Sequence, residues 1–186
     1  MTDLSRIAVQ LQDPRVSIRS RAVRDLGRAK DPAAVPHLCA ALCDLHPKVR
    51  LEAAIALGRT SDGSAVPALV AALEDDIAEN RAAAIAALGR LADRSAAAAL
   101  AACARDKDRA VRTGVATVLG KLGDNRILGV LESLAGDPAM DVREAAEDAV
   151  RKIRKRETGR HGPGKETQPA FYRANLLHKT DHTKVR

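Results

Sequence analysis

His37, Cys39, Cys43 and His46 fall within ten residues of one another. Imidazole and thiolate at such short spacings are the donors of tetrahedral zinc sites. Placed on a single helix, however, Cys39, Cys43 and His46 share one face while His37 points away from it. Four ligands do not converge, so no metal and no other cofactor is expected. Arginine in register is the second chemical feature: Arg19, Arg50, Arg81, Arg112 and Arg143 recur every 31 residues, as do Asp13, Asp44, Asp75, Asp106 and Asp137. A row of guanidinium groups could grip phosphates or acidic partners. With aspartate at the same period, the reading is an inter-repeat ladder in which each arginine pairs with helix-end carbonyls or a capping aspartate. A further basic column, Arg28, Arg59, Arg90, Lys121 and Lys152, ends the first helix of each unit, where cations complement the macrodipole.

The elements that hold these residues follow from the repeat. Asp31, Asp62, Asp93 and Asp124 share the 31-residue period, as do Leu26-Gly27, Leu57-Gly58, Leu88-Gly89 and Leu119-Gly120, ending in Val150-Arg151. Ile18, Ala22, Leu26 and Ala29 lie on one face of a first helix, and so do Val49, Ala53, Leu57 and Thr60. Val35, Leu38 and Leu42, matched by Val66, Leu69 and Leu73, lie on one face of a second. Neither helix is long enough to stand alone. Asp13-Pro14 and Asp31-Pro32 read as an N-cap before a first-turn proline. A glycine recurring within a helix costs about 1 kcal/mol relative to alanine, so the Leu-Gly column implies close approach of the following helix. Residues 4–11 match a second helix only, and the last unit is a first helix only, in which Glu147 stands in the column of Val23, Ala54, Ile85 and Ala116. Both ends therefore read as caps of a stack. The expected fold is all-α, a right-handed solenoid of about ten helices over residues 1–156, with a basic tail over 157–186.

Composition narrows the function. The 186 residues include one Phe, one Tyr and no Trp, so the core must be built from small aliphatic side chains. Residues 1–150 carry 20 Lys/Arg against 21 Asp/Glu, whereas residues 151–186 carry 11 against 3, so the formal charge of +7 belongs to the C-terminal segment. An odd cysteine count, two of them on one helix face, points to a reducing compartment. The N-terminus lacks the basic and apolar regions of a signal peptide, and no apolar run reaches the ~18 residues of a membrane span. The expectation is a cytoplasmic protein outside the membrane.

The unit seen best across Asp44 to Leu73, with Val49-Arg50, Leu57-Gly58, Asp62 and Val66-Pro67, resembles HEAT repeats of the phycobilisome-lyase type over about four fifths of the chain. The resemblance implies that second helices line a concave, ligand-facing surface and that the Asp and Arg columns form a polar ladder. It leaves function open, because such solenoids serve as scaffolds, adaptors, chromophore-lyase subunits and a few enzymes. Deoxyhypusine hydroxylases carry His-Glu metal ligands, but none of His37, His46, His161, His178 and His182 is followed by Glu. HEAT-like DNA glycosylases use aromatic residues in a basic groove, and the repeat region has neither. No enzymatic activity is expected.

Two surfaces remain for partners. The second helices turn outward Pro36, His37 and Ala40, then Pro67, Ala68 and Ala71, then Ala98, Ala99 and Ala102, and finally Val130 and Ser133. A floor this small and apolar suits packing by a protein segment, another copy or the chain's own tail. In the tail, Phe171, Tyr172, Leu176 and Leu177 follow a Gly/Pro-rich linker and read as a docking motif. The leading expectation is a protein–protein interaction scaffold or adaptor. The alternatives are an accessory subunit of a bilin-lyase-like enzyme and nucleic-acid binding through the basic tail, the latter not favoured and expected to be steeply salt-dependent.

Overall fold

The computed structural model describes residues 4–29, 31–123 and 125–160. Phe171, Tyr172, Leu176, Leu177 and the rest of the expected docking tail lie outside these residues. The described residues form ten α-helices and no strand: α1 Leu4–Gln10, α2 Val16–Ala29, α3 Val35–Ala41, α4 Pro47–Leu57, α5 Val66–Ala71, α6 Ala78–Leu91, α7 Ala97–Ala102, α8 Arg109–Leu122, α9 Leu128–Leu134 and α10 Met140–Arg160. The even-numbered helices are the first helices of the sequence repeat and the odd-numbered ones the second, an armadillo/HEAT-type all-α solenoid. By contact the chain divides into residues 1–154 and 155–186. The last helix continues past the expected boundary at 156, because Arg154, Lys155, Arg156 and Glu157 are good helix formers and no proline intervenes.

Each first helix packs on the next, α2 on α4, α4 on α6 and α6 on α8. The periodic apolar residues meet between layers: Leu26, Leu38, Leu57, Leu69, Leu88, Leu100, Leu119 and Leu131 are all essentially inaccessible. The glycine column sets the spacing. A Cβ at Gly27 would stand 2.8 Å from Cβ of Ala56, one at Gly58 2.8 Å from Cα of Ala87, one at Gly89 2.7 Å from Val118, and one at Gly120 2.5 Å from Cβ of Ala149. These separations are below van der Waals contact, so close approach by the following helix is the reason for the glycines. Arg151, which ends the column, is exposed, and no further helix packs on it among the described residues. The opposing column, Ala56, Ala87, Val118 and Ala149, begins with the partly exposed Asp25, on which no first helix packs among the described residues. Glu147 is likewise exposed at the other end.

The arginine and aspartate columns join neighbouring repeats. Nε and Nη2 of Arg19 donate to Asp44 at 2.7 and 2.9 Å, and its Nη1 donates to the carbonyls of Asp13 and Pro14. Arg50 and Asp75, Arg81 and Asp106, and Arg112 and Asp137 repeat the arrangement. Carbonyls and carboxylate are thus held together rather than as alternatives. Asp44, Asp75 and Asp106 do not cap first helices, contrary to the sequence expectation. The caps of α4, α6 and α8 are His46, Ile77 and Asp108, and each aspartate accepts from the backbone N–H of the cap two residues on. A carboxylate already holding a guanidinium from the preceding repeat closes the turn one step upstream of the helix. Asp31, Asp62 and Asp93 do cap, though they cap 3-10 turns leading into α3, α5 and α7. The sequence reading also missed Asn80, a polar residue in the column of Val49, Val111 and Val142. It is buried and donates to Asp75 and to the carbonyl of Pro47, tying two repeats together.

Burial works to raise the carboxyls of Asp44 and Asp75, but hydrogen bonds from Arg19 and Arg50 and from backbone N–H groups outweigh it and hold both below the usual range. For Asp106 and Asp137 the hydrogen bonds from Arg81 and Arg112 are the largest influence, and they too lower the carboxyl. A carboxyl depressed in the folded state contributes stability that is complete above its unfolded pKa of about 3.9 and disappears as pH falls through the folded value. The melting temperature should therefore be flat from neutral pH to about pH 5 and fall steeply below about pH 4. Asp106→Asn should cost about 1–3 kcal/mol at pH 7 and soften that acid transition, as thermal melts across the pH series would show. Gly58→Leu should cost at least about 1–3 kcal/mol by forcing α4 from α6, whereas Arg151→Ala, in the same column without a neighbour, should stay within about 0.5 kcal/mol. Denaturant titration of both variants checks the pair.

Candidate functional site

The second helices place the candidate surface residues outward. Pro36, His37 and Ala40 on α3, Pro67 and Ala71 on α5, Ala98 and Ala102 on α7, and Ser133 on α9 are exposed. Ala68, Ala99 and Val130 are half-buried and pack against the core, so they form the floor between helices rather than its crest. The opposite faces of the same helices bury Leu38, Leu69, Leu100 and Leu131. Period and helix direction together therefore bring eleven small or apolar side chains onto one face, with His37 the one titratable group among them. A cleft of about 430 Å³ opens between α7 and α9, lined by Ala102, Val130 and Ser133 together with Arg105 and Gly129.

A second cleft, about 550 Å³, lies where the turns after α1 and α3 meet. His37 and Ala40 reach it from α3 and share it with Cys43, Leu45 and the Asp13, Arg19 and Asp44 groups of the ladder. Leu45 is 97% exposed, a bare leucine at the cleft rim. Its signal in the sequence was an apolar residue in a turn column otherwise held by Pro14, Asp76, Lys107 and Pro138. The two repeats further on carry an equivalent cleft of about 450 Å³ around Arg81 and Asp106, with Ala102, Cys103 and Lys107. The ion pairs in these clefts are already committed to the ladder, and each leaves a charged wall beside an apolar floor.

The four residues that suggested a metal do not lie on one helix. α3 ends at Ala41, and His46 is the cap of α4, its Nδ1 accepting from the backbone N–H of Lys48 at 3.2 Å. Among the described residues no three His, Cys, Asp or Glu groups assemble into a ligand set. Cys39 is half-buried against the core beside its column mates Val70 and Ala101. Burial, reinforced by Asp62, pushes its thiol up, and burial does the same to Cys103, leaving both poor nucleophiles at neutral pH. Cys43 is exposed. In the basic column Lys121 donates to the carbonyl of Gly89 in the preceding repeat, whereas Arg28 and Lys152 pair with Asp25 and Asp148 of their own helices. No described helix is long and apolar enough to cross a membrane.

The chain matches the family of HEAT repeats over residues 4–79 and again over 75–151. Among solved structures it is similar to the complex of CpcE and CpcF of phycocyanin lyase from Nostoc sp. PCC7120, at 26% identity and a TM-score of 0.70, covering 85% of this chain and 67% of that one. It is also similar to a designed armadillo repeat protein in complex with the peptide (KR)4, at 17% identity and a TM-score of 0.62, covering 81% of each chain. An engineered protein at 18% identity has a TM-score of 0.56, with 83% of this chain and 98% of that one covered. The two designed structures show the fold alone. No curated protein matches the sequence.

Proposed function

The chain belongs to the HEAT-repeat family, and on that premise we propose that it is a non-enzymatic protein–protein interaction scaffold, seating a segment of a partner protein on the face of α3, α5, α7 and α9. The observation that carries this reading is the composition of that face: exposed prolines and alanines in register, over clefts walled by ladder charges. Small side chains let a partner backbone come close and lose little rotamer entropy on being covered. The charged walls fix the register of what lies between them. The tail residues Phe171, Tyr172, Leu176 and Leu177 are proposed as additional anchors, aromatic and leucine side chains being the usual carriers of interface energy.

The likeness to the CpcE–CpcF complex favours a second reading, an accessory subunit of a bilin-lyase-like chromophore-attachment enzyme. Visible absorbance of the purified protein after co-expression with a bilin pathway separates the two, since a scaffold of other partners emerges colourless.

For the scaffold reading, Ala71→Glu combined with Ala102→Glu is the decisive variant. Both alanines are exposed, so the fold tolerates the carboxylates, while a docked partner would bury them unpaired. Affinity capture with mass spectrometry should recover a partner on the parent chain and lose it on the double variant, with an unchanged melting temperature. Retention of the partner by the variant would move the binding site off this face.

A further inference from the structure

We propose that the chain associates head to tail with a second copy of itself, the open face of α10 on one copy meeting the open face of α2 on the next, in the register that continues the repeat. This goes beyond the scaffold reading, since it concerns the two ends of the described array and leaves the outward face of α3, α5, α7 and α9 free.

The glycine and arginine–aspartate pairings recur at the internal junctions, and two further contacts, Ile85 with Gly114 and Arg24 with Glu52, are each seen at one junction among the described residues. Gly27 meets Ala56, Gly58 meets Ala87, Gly89 meets Val118 and Gly120 meets Ala149. Ile85 lies against the position of Gly114, Arg24 pairs with Glu52, and Arg19, Arg50, Arg81 and Arg112 each hold an aspartate 25 residues on. Carried one period beyond the last repeat, the glycine pairing sets Arg151 against Asp25 of a second copy. The Ile85 pairing sets Glu147 against Arg21, the Arg24 pairing sets Asp148 against the same Arg21, and the ladder sets Arg143 against Asp13. All four facing pairs are of opposite sign. Two ends made charged only for solubility would have no reason to match column by column.

Arg143 supplies an independent observation. Its Nη1 donates to the carbonyls of Asp137 and Pro138, as its counterparts do to theirs. Its Nε and Nη2, which in the other four arginines hold a carboxylate, have no partner among the described residues. The carboxylate that would complete the row is the one on the opposite end, Asp13, held among the described residues by its neighbour Arg15. The local pairs that must rearrange, Asp25 with Arg21 and Arg28 and Arg151 with Asp148, are exposed and cost little to exchange. Because any side chain in the glycine column keeps the next helix away, two copies stand further apart than consecutive repeats and touch through charged tips, with Arg143 facing Asp13 as an opposite charge rather than in the close bidentate geometry of the internal ladder. The contact is therefore reversible and sensitive to salt. It is also heterologous, so it propagates into open chains rather than closing at a dimer.

Sedimentation velocity of the full chain from about 10 µM to about 1 mM spans the range in which a contact of this kind is populated. The weight-average mass should rise with concentration at low salt, pass that of a dimer, and return toward the monomer in about 0.5 M salt. Asp25→Arg and Arg151→Asp should each weaken association about tenfold or more. Combining the two in one chain, or mixing the two single variants, should restore it, because the reversed pair attracts again. Circular dichroism melts confirm that each variant is folded. A monomer at every concentration, association indifferent to both reversals, or single losses that the combination does not recover would each overturn the proposal.

Discussion

Consecutive first helices approach until the space a side chain would need at Gly27, Gly58, Gly89 and Gly120 is already filled by the facing helix, by Ala56, Ala87, Val118 and Ala149. That contact fixes the distance between repeats. At larger spacing the small aliphatic core would contain voids, for there is hardly an aromatic side chain to fill them, and each void costs stability in proportion to its volume. Ala56, Ala87, Val118 and Ala149 complete the contact from the other side, so the column is a constraint on pairs of positions rather than on glycine alone.

The ladder depends on that spacing. A guanidinium that bridges two carbonyls of its own repeat and a carboxylate of the next can do so only when helices stand a fixed distance apart. Apolar layers slide with little penalty; a bidentate arginine pair does not, and its directional bonds select one register. Asn80 adds a further fixed point in the third repeat. Ion pairs half removed from water at each junction thus give a stack of short helices a defined pitch, and the pitch in turn aligns α3, α5, α7 and α9 into one face.

A scaffold needs a surface that does not change shape when occupied. Here the polar bonds face the junctions and the leucines face the layers, which leaves the outward side of the second helices with little structural duty of its own. Alanine and proline there leave room for a partner, and the same absence of long side chains leaves the charged walls of the clefts within reach. Among the described residues the ends of the array are the other surfaces without a neighbouring repeat, and they carry charge where the interior carries glycine and small apolar residues.

Much of this was legible in the sequence. A 31-residue period fixes helix number and order, the apolar spacing fixes which faces are buried, and a recurring glycine inside a helix has no other account than close approach. The outward placement of Pro36, His37, Pro67, Ala71, Ala98 and Ala102 followed from the same projection. What the period could not convey is geometry across the junction. Asp44, Asp75 and Asp106 look like helix caps because aspartate before a helix usually is one, and only the position of the preceding repeat's arginine shows the carboxylate to be turned upstream. His37 and His46 do not share a helix, because α3 ends at Ala41 and His46 caps α4 ahead of Pro47, a break that the Asp44 column and Pro47 already marked in the sequence. Local pattern dictates what each helix buries, while the contacts of Gly58 with Ala87 and of Arg81 with Asp106 exist only between elements distant in the chain, where tertiary packing alone brings them together.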